Sequence, residues 1–341
     1  MKKKVSMLFA ALLCLSMGLT GCGTNKENGK EDTKEELTKV TLNEVAHSVF
    51  YAPQYVAIEE GYFVEEGIKL ELVTGFGADK VMSALLSGEA DIGFMGSEAT
   101  IYAYQQGAND KVMNFAQLTQ RAGNFLVARQ PDPSFSWQKL KGKTVLGGRA
   151  GGMPQMVFEY ILKKNGIDPR TDLTIDQSIQ FGLTAPAFAG NTSDYTVEFE
   201  PFATGLELEG KGYVVASLGT DSGYVPYTAY CARKSYLDAH PDIIQKFTNA
   251  LQKGMQYVNT HSPEEIAKTI QPQFQETPLE NITAIVERYK AQDTWKDDLI
   301  FEKSSFELLQ NILEEAGELT TRVPYEKLVT TEFAEKAKEA S

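Results

Sequence analysis

From residue 40 onward, apolar and polar positions recur in two alternating rhythms. Val40 and Leu42 flank Thr41, which predicts a strand over 40–43. A helix is predicted over 52–60, with Pro53 near its first turn, where a missing N–H costs little. Gly61 stands where a left-handed residue would end it. Ile68, Leu70 and Leu72 alternate with Lys69 and Glu71, the period of a strand with one buried face. Gly75-Phe76-Gly77 then turns the chain into a helix over 78–87, closed by Gly88. A strand over 91–95 follows, and Ser97 is placed to cap the next helix.

Two apolar runs, 112–119 and 124–128, read as strands, and Gln130-Pro131-Asp132-Pro133 breaks the pattern, so the first domain crossing is placed there. A second series predicts strands over 144–146, 173–177, 195–199 and 213–217, with helices over 153–164, 183–189 and 201–209. A strand over 225–233 returns to the first series. Beyond it the pattern is helical, with Ile243, Ile244, Phe247, Leu251, Met255 and Val258 near helical spacing and Ser262-Pro263-Glu264-Glu265 a helix start. Alternating strands and helices predict an α/β fold built on parallel sheets. Ligands in such sheets sit beyond the carboxyl ends of the strands, where helix N-termini are exposed. The loops 47–51, 75–77 and 96–98 fall at that edge.

Composition narrows the function. The 341 residues carry a formal net charge of −13, which argues against nucleic acid as a partner. Lys2, Lys3 and Lys4 precede an apolar run over 5–19, a signal-peptide pattern too short to span a bilayer. Leu19-Thr20-Gly21-Cys22 resembles a bacterial lipobox, which implies cleavage before Cys22 and a diacylglycerol on its sulfur. The polar, charged stretch that follows has the composition of a solvated tether. Cys231 is then the one cysteine left in the body; its apolar strand context predicts an inert core thiol.

The candidate chemistry is that of binding. Three scattered histidines and no HExxH or CxxC pattern predict no metal site, and no nucleophile set or cofactor loop is readable. His47 is either a ligand contact or a satisfied loop residue. The glycine-rich loop 147–152 lacks the Gly-Lys-Ser/Thr ending of a nucleotide loop, but with Arg149, Gly151, Gly152 and Met153 it presents N–H groups at a helix start. Strand alternation puts Glu198 and Glu200 on one side. Glu200 is read as meeting a donor on a ligand, or else as a carboxylate at a helix N-terminus.

Specific runs carry a family resemblance. Tyr51-Ala-Pro-Gln-Tyr-Val-Ala57, Glu60-Gly-Tyr-Phe63, Glu66-Gly-Ile68, Ser87-Gly-Glu-Ala-Asp-Ile-Gly93, Leu140-Lys-Gly-Lys-Thr-Val145 and Phe199-Glu-Pro201 resemble the solute-binding proteins of ABC importers. Within them the chain resembles the group that takes thiamine-pyrimidine precursors, sulfonates, taurine and nitrate. The resemblance implies a two-lobed periplasmic-binding-protein-like (type II) fold, each lobe a mainly parallel sheet flanked by helices. The implied plan is a signal peptide over 1–21, a tether over 22–39, a first lobe over 40–129 and 226–341, and a second lobe over 130–225. It further implies a small-molecule ligand enclosed between the lobes, an ABC permease with its ATPase as partner, a lipid-anchored extracytoplasmic monomer, no cofactor and no catalysis.

For the ligand, Glu44, Glu98 and Glu200 with Tyr51, Phe76, Phe181, Tyr224 and Tyr227 suit an amino-substituted heteroaromatic ring. Gly77, Ser97 and Gln120 complete the expected site beside His47 and the 147–152 loop. Arg121 and Arg149 suit the alternative, a sulfonate, taurine or nitrate. A pyrimidine synthase of the eukaryotic kind is the remote alternative. The resemblance ties that enzyme to a cysteine-rich iron motif, and this body has one cysteine. A sensor or adhesion module on the same fold is a further alternative.

Overall fold

The computed structural model describes residues 36–180 and 182–341. The signal peptide, the lipidation at Cys22, most of the tether and the candidate Phe181 lie outside the described residues. Ten strands form two sheets: β1 Thr38–Glu44, β2 Ile68–Thr74, β3 Ile92–Gly96, β4 Val112–Thr119, β5 Phe125–Ala128, β6 Thr144–Leu146, β7 Thr174–Asp176, β8 Tyr195–Glu198, β9 Tyr213–Ser217 and β10 Thr228–Arg233. The first sheet has the order β2-β1-β3-β10-β4 and the second β7-β6-β8-β5-β9. The two orders are equivalent strand for strand. In each sheet four strands run one way and one is reversed. β10 pairs antiparallel with β3 and β4, and β5 pairs antiparallel with β8 and β9.

The reversed strands are those by which the chain enters each sheet from the other. This corrects the first crossing. β5 is paired wholly within the second sheet, Phe125 opposite Glu198 and Ser217. The chain therefore changes lobe between Thr119 and Phe125, not at 130–133. Phe125–Ala128 is buried throughout, so its apolar pattern alone does not say which sheet holds it. The body also begins earlier than expected: β1 starts at Thr38, with Thr38 opposite Ile68.

Local signals explain most elements. Helix Ala78–Ser87 ends at Gly88 with φ 82°. Ser262 and Glu265 form a reciprocal capping box at the start of helix Pro263–Ile270. β2 is an edge strand, so only Ile68 of its apolar set is fully buried while Leu70 and Leu72 are half-covered. Gly254 in helix Pro241–Thr260 lets that helix close on helix Ala52–Glu59; a β-carbon there would overlap the Pro53 carbonyl.

The connections between the sheets are pinned by the end of helix Leu279–Ala291. Gln292 Nε2 donates to the Ala122 carbonyl at 3.1 Å, and its Oε1 accepts from the Ser217 hydroxyl at 2.6 Å. Tyr289 donates to the Gly123 carbonyl at 2.9 Å. Gly219 is needed here, because a β-carbon would strike the Ala122 carbonyl and the Gln292 amide. Cys231 is buried in β10, and burial pushes its thiol far up, which makes it inert. Among the described residues no helix is long and apolar enough to cross a membrane.

Candidate functional site

The carboxyl ends of β1, β3, β6 and β8 face one another across a cleft. His47, Ser48, Tyr51, Gly77, Gly96, Glu98 and Thr228 line it from the first lobe, with Asn124 from the connection between β4 and β5. Gly148, Arg149, Gly152, Met153, Thr184 and the run 197–200 line it from the second. Contacts across the cleft include the following. Ser48 Oγ donates to the Glu200 carbonyl at 2.6 Å, Tyr102 OH donates to the Gly151 carbonyl at 3.1 Å, and Arg149 lies 3.7 Å from the Asp79 carboxylate.

The carboxylates differ in what they have left to offer. Glu44 lies behind the cleft wall. It accepts from Gln54 at 2.7 Å, Tyr55 at 2.8 Å, Thr74 at 3.0 Å and His47 Nδ1 at 2.9 Å. It is saturated and does not line the cleft, which corrects its reading as a ligand contact. His47 does line the cleft, with Nε2 donating to the Gln273 carbonyl at 2.8 Å. Burial opposes its charge. The bond to Glu44, the Gln273 carbonyl and the Glu44 charge outweigh burial and raise its pKa.

Glu200 is at the wall as expected, but both of its oxygens are engaged. One pairs with Arg288 and the other accepts from the Thr204 N–H at 2.9 Å, in the first turn of helix Phe202–Leu208. Burial raises its pKa, while Arg288 and the Thr204 N–H pull it back. Glu198 was not among the expected contacts. It is buried, accepts from Thr196 and from Thr184 at 3.0 Å, and is pushed by burial up to about 7 against those two bonds.

Glu98 is the exception. It begins helix Glu98–Gln105, is 3 % exposed, and its Oε2 is buried without a hydrogen-bond partner. The carboxylate folds back over Gly96, where a β-carbon would overlap it. Burial lifts its pKa to about 7, opposed by its own N–H, the Met153 N–H and the Arg149 charge. Asn124 supplies the complementary vacancy: Oδ1 accepts from Tyr227 OH and Nδ2 is buried without an acceptor. Asn124 was missed because it opens an apolar run with no motif around it.

Several expected contacts stand elsewhere. Ser97 takes the N-cap position without capping and donates instead to the Pro226 carbonyl at 2.6 Å. Phe76 is 58 % exposed with φ 55°, outside the cleft lining. Gln120 bonds the Asp293 carbonyl at 3.2 Å, and Arg121 bonds the Gly219 carbonyl at 3.1 Å and stacks on Tyr224 at 4.1 Å. Tyr224 in turn donates to Asp293 at 2.5 Å. All three belong to the connections between the sheets, away from the cleft. Gly151 shapes the loop, with φ 74° and its N–H on Gln155, but does not line the cleft. Tyr51, Gly77, Glu98, Arg149, Gly152, Met153, Glu200, Tyr227 and His47 line the one cleft.

Residues 49–266, well over half of the chain, match the model of the NMT1/THI5-like family. The chain belongs to that family. "Putative binding protein YtlA" of Bacillus subtilis (strain 168) is 48 % identical over 303 residues, covering 89 % of this chain and 91 % of the relative. The 4-amino-5-hydroxymethyl-2-methylpyrimidine phosphate synthase of Aspergillus parasiticus is 23 % identical over 219 residues, 61 % of this chain and 63 % of the enzyme. Among solved structures, the alkanesulfonate-binding protein SsuA from Xanthomonas axonopodis pv. citri superposes with a TM-score of 0.70 at 17 % identity. That match covers 87 % of this chain and 99 % of SsuA. It shows a shared two-lobed periplasmic-binding-protein-like fold.

Proposed function

We propose that the chain is the solute-binding component of an ABC importer, tethered on the extracytoplasmic side by a lipid on Cys22. Its ligand is a small polar heteroaromatic with an amino group, of the kind represented by pyrimidine precursors of thiamine. The observation that carries this reading is the pair of vacancies in an aromatic-lined cleft. Glu98 Oε2 is a buried acceptor without a donor, and Asn124 Nδ2 is a buried donor without an acceptor. Of the buried side-chain polar atoms without a partner among the described residues, these two belong to cleft-lining residues, and an unmet group costs about 1–3 kcal/mol. A ring bearing an amino group beside an acceptor nitrogen meets both while Tyr51, Phe199 and Tyr227 cover its faces. The acceptor role assigned from sequence to Glu200 passes to Glu98, because Arg288 and Thr204 already occupy Glu200.

Binding of a sulfonate, taurine or nitrate is the second reading, supported by Arg149 on the cleft wall and by the alkanesulfonate ligand class named for SsuA. Thermal shift with aminopyrimidines, taurine, alkanesulfonates and nitrate separates the two. A ligand at about a hundredfold excess over Kd adds ~2.7 kcal/mol to the folded state. A shift with aminopyrimidines alone supports the first reading, and a shift with anions alone replaces it with the second. Recovered ligand should be chemically unchanged; turnover would return the enzyme alternative.

A further inference from the structure

The loop 147–152 and the helix Met153–Lys164 that follows it have the form of an oxyanion site, yet several of their donors are already committed. Gly151 N–H donates to Gln155 Oε1 at 3.0 Å, and Gly152 N–H donates to the Arg149 carbonyl at 3.2 Å. Pro154 has no N–H. Glu98, from the opposite lobe, lines the cleft together with Arg149, Gly152 and Met153, and Tyr102, one turn further along its helix, donates to the Gly151 carbonyl at 3.1 Å; the Met153 N–H and the Arg149 charge both hold the Glu98 pKa down against burial. A carboxylate of the first lobe thus stands at the helix N-terminus of the second. Gly96 makes this possible, since any β-carbon there would displace the carboxylate.

We infer that Glu98 is a built-in anion and the specificity-determining residue of the cleft. It fills the oxyanion position between the lobes, so that the site rejects free sulfonate and nitrate and accepts a ligand that brings an N–H group to Oε2. The inference rests on the proposed reading of this cleft as the ligand site. Its physical basis is that two anions do not share one helix N-terminus. With the single Glu98 charge in place, the local field of Arg149 and the helix end is already neutralised. The free oxygen of Glu98 then converts a site of anion-binding form into an acceptor for donors.

The test uses the full-length mature chain and reads anion binding by thermal shift and calorimetry, with methanesulfonate and nitrate as probes, at a mildly alkaline pH where Glu98 is ionised. Wild type is expected to show no anion-dependent stabilisation. Glu98→Ala is expected to gain it, with binding about tenfold or more above wild type, equivalent to ~1.4 kcal/mol. Adding Arg149→Ala should remove the gain. Glu98→Gln keeps the shape and supplies an N–H, so it should gain anion binding as well, and it serves if the alanine variant folds poorly. Equal anion binding by wild type and both variants overturns the inference, and so does the absence of any gain in a folded variant. Failure of the aminopyrimidine reading would appear separately, as wild type showing no shift with those compounds while the variants still gain anions.

Discussion

Two buried glutamates about fifty residues apart in sequence, Glu44 and Glu98, stand at the ends of neighbouring parallel strands β1 and β3 and do opposite work. Glu44 collects hydrogen bonds from His47, Gln54, Tyr55 and Thr74. Glu98 keeps one oxygen buried and unmet, on the cleft wall. The first carboxylate holds the lobe together; the second carries an unpaid desolvation cost that a ligand can relieve. Burial and residue type do not distinguish them. The number of donors within reach does.

The sharpest way to break this comparison is to remove the structural member. Glu44→Ala leaves four donors without their acceptor and is expected to cost about 3–5 kcal/mol, the range for one-sided loss of a buried charged network. The urea midpoint measures it, and a loss under about 1 kcal/mol would mean that Glu44 is not structural in this sense.

Next in size, Glu98→Gln should act in two ways. It should weaken an amino-bearing ligand by about 1.5–3 kcal/mol, the value of a hydrogen bond to a charged group. It should also stabilise the ligand-free protein at alkaline pH. The folded pKa of about 7 lies above the ordinary value of 4.5, so the folded state binds the proton more tightly. Stability therefore falls as pH rises between those values. The fall is complete above pH ~7 and on the order of 3 kcal/mol. Melting curves at mildly acidic and alkaline pH should show the variant gaining on wild type only in the latter. A gain of equal size at both would refute the linkage.

His47→Gln is expected to have a smaller effect, about 1 kcal/mol, with a pH signature. The raised folded pKa of His47 means that its stabilisation is fully present below pH ~6.5 and is lost as pH rises through the folded value. The gap between wild type and variant should close toward alkaline pH. A gap constant with pH would show that His47 titrates alike in the folded and unfolded chain, against the raised folded value.

Smallest is Arg149→Met. Its pair with Asp79 is 3.7 Å long and both side chains are substantially exposed, so stability should change by less than ~1 kcal/mol and less still in high salt. A larger loss would make that pair a true latch between the lobes.

The cleft loops were legible because glycines, polar residues and helix starts cluster at the carboxyl ends of the strands. Nine of the expected contacts do meet there. Several of the expected contacts that stand elsewhere are held by remote partners. Ser97 is held by Pro226, Arg121 by Gly219 and Tyr224 by Asp293. Glu200 looked free because Arg288, which occupies it, comes from a helix 88 positions later. β5 was assigned to the wrong lobe because four buried residues in a row fit either sheet equally well.

The sequence by itself determined the alternation of strands and helices, the capping box at Ser262 and the left-handed turn at Gly88, since these depend on residues within one or two turns of each other. Tertiary structure alone decided which carboxylate is saturated and which is open. His47 reaches Gln273 across 226 positions, and Glu98 shares the cleft wall with Met153, which starts a helix of the other lobe. Periodicity is a local property of a chain; hydrogen-bond satisfaction of a buried group is set by whatever the fold brings within about 3 Å of it.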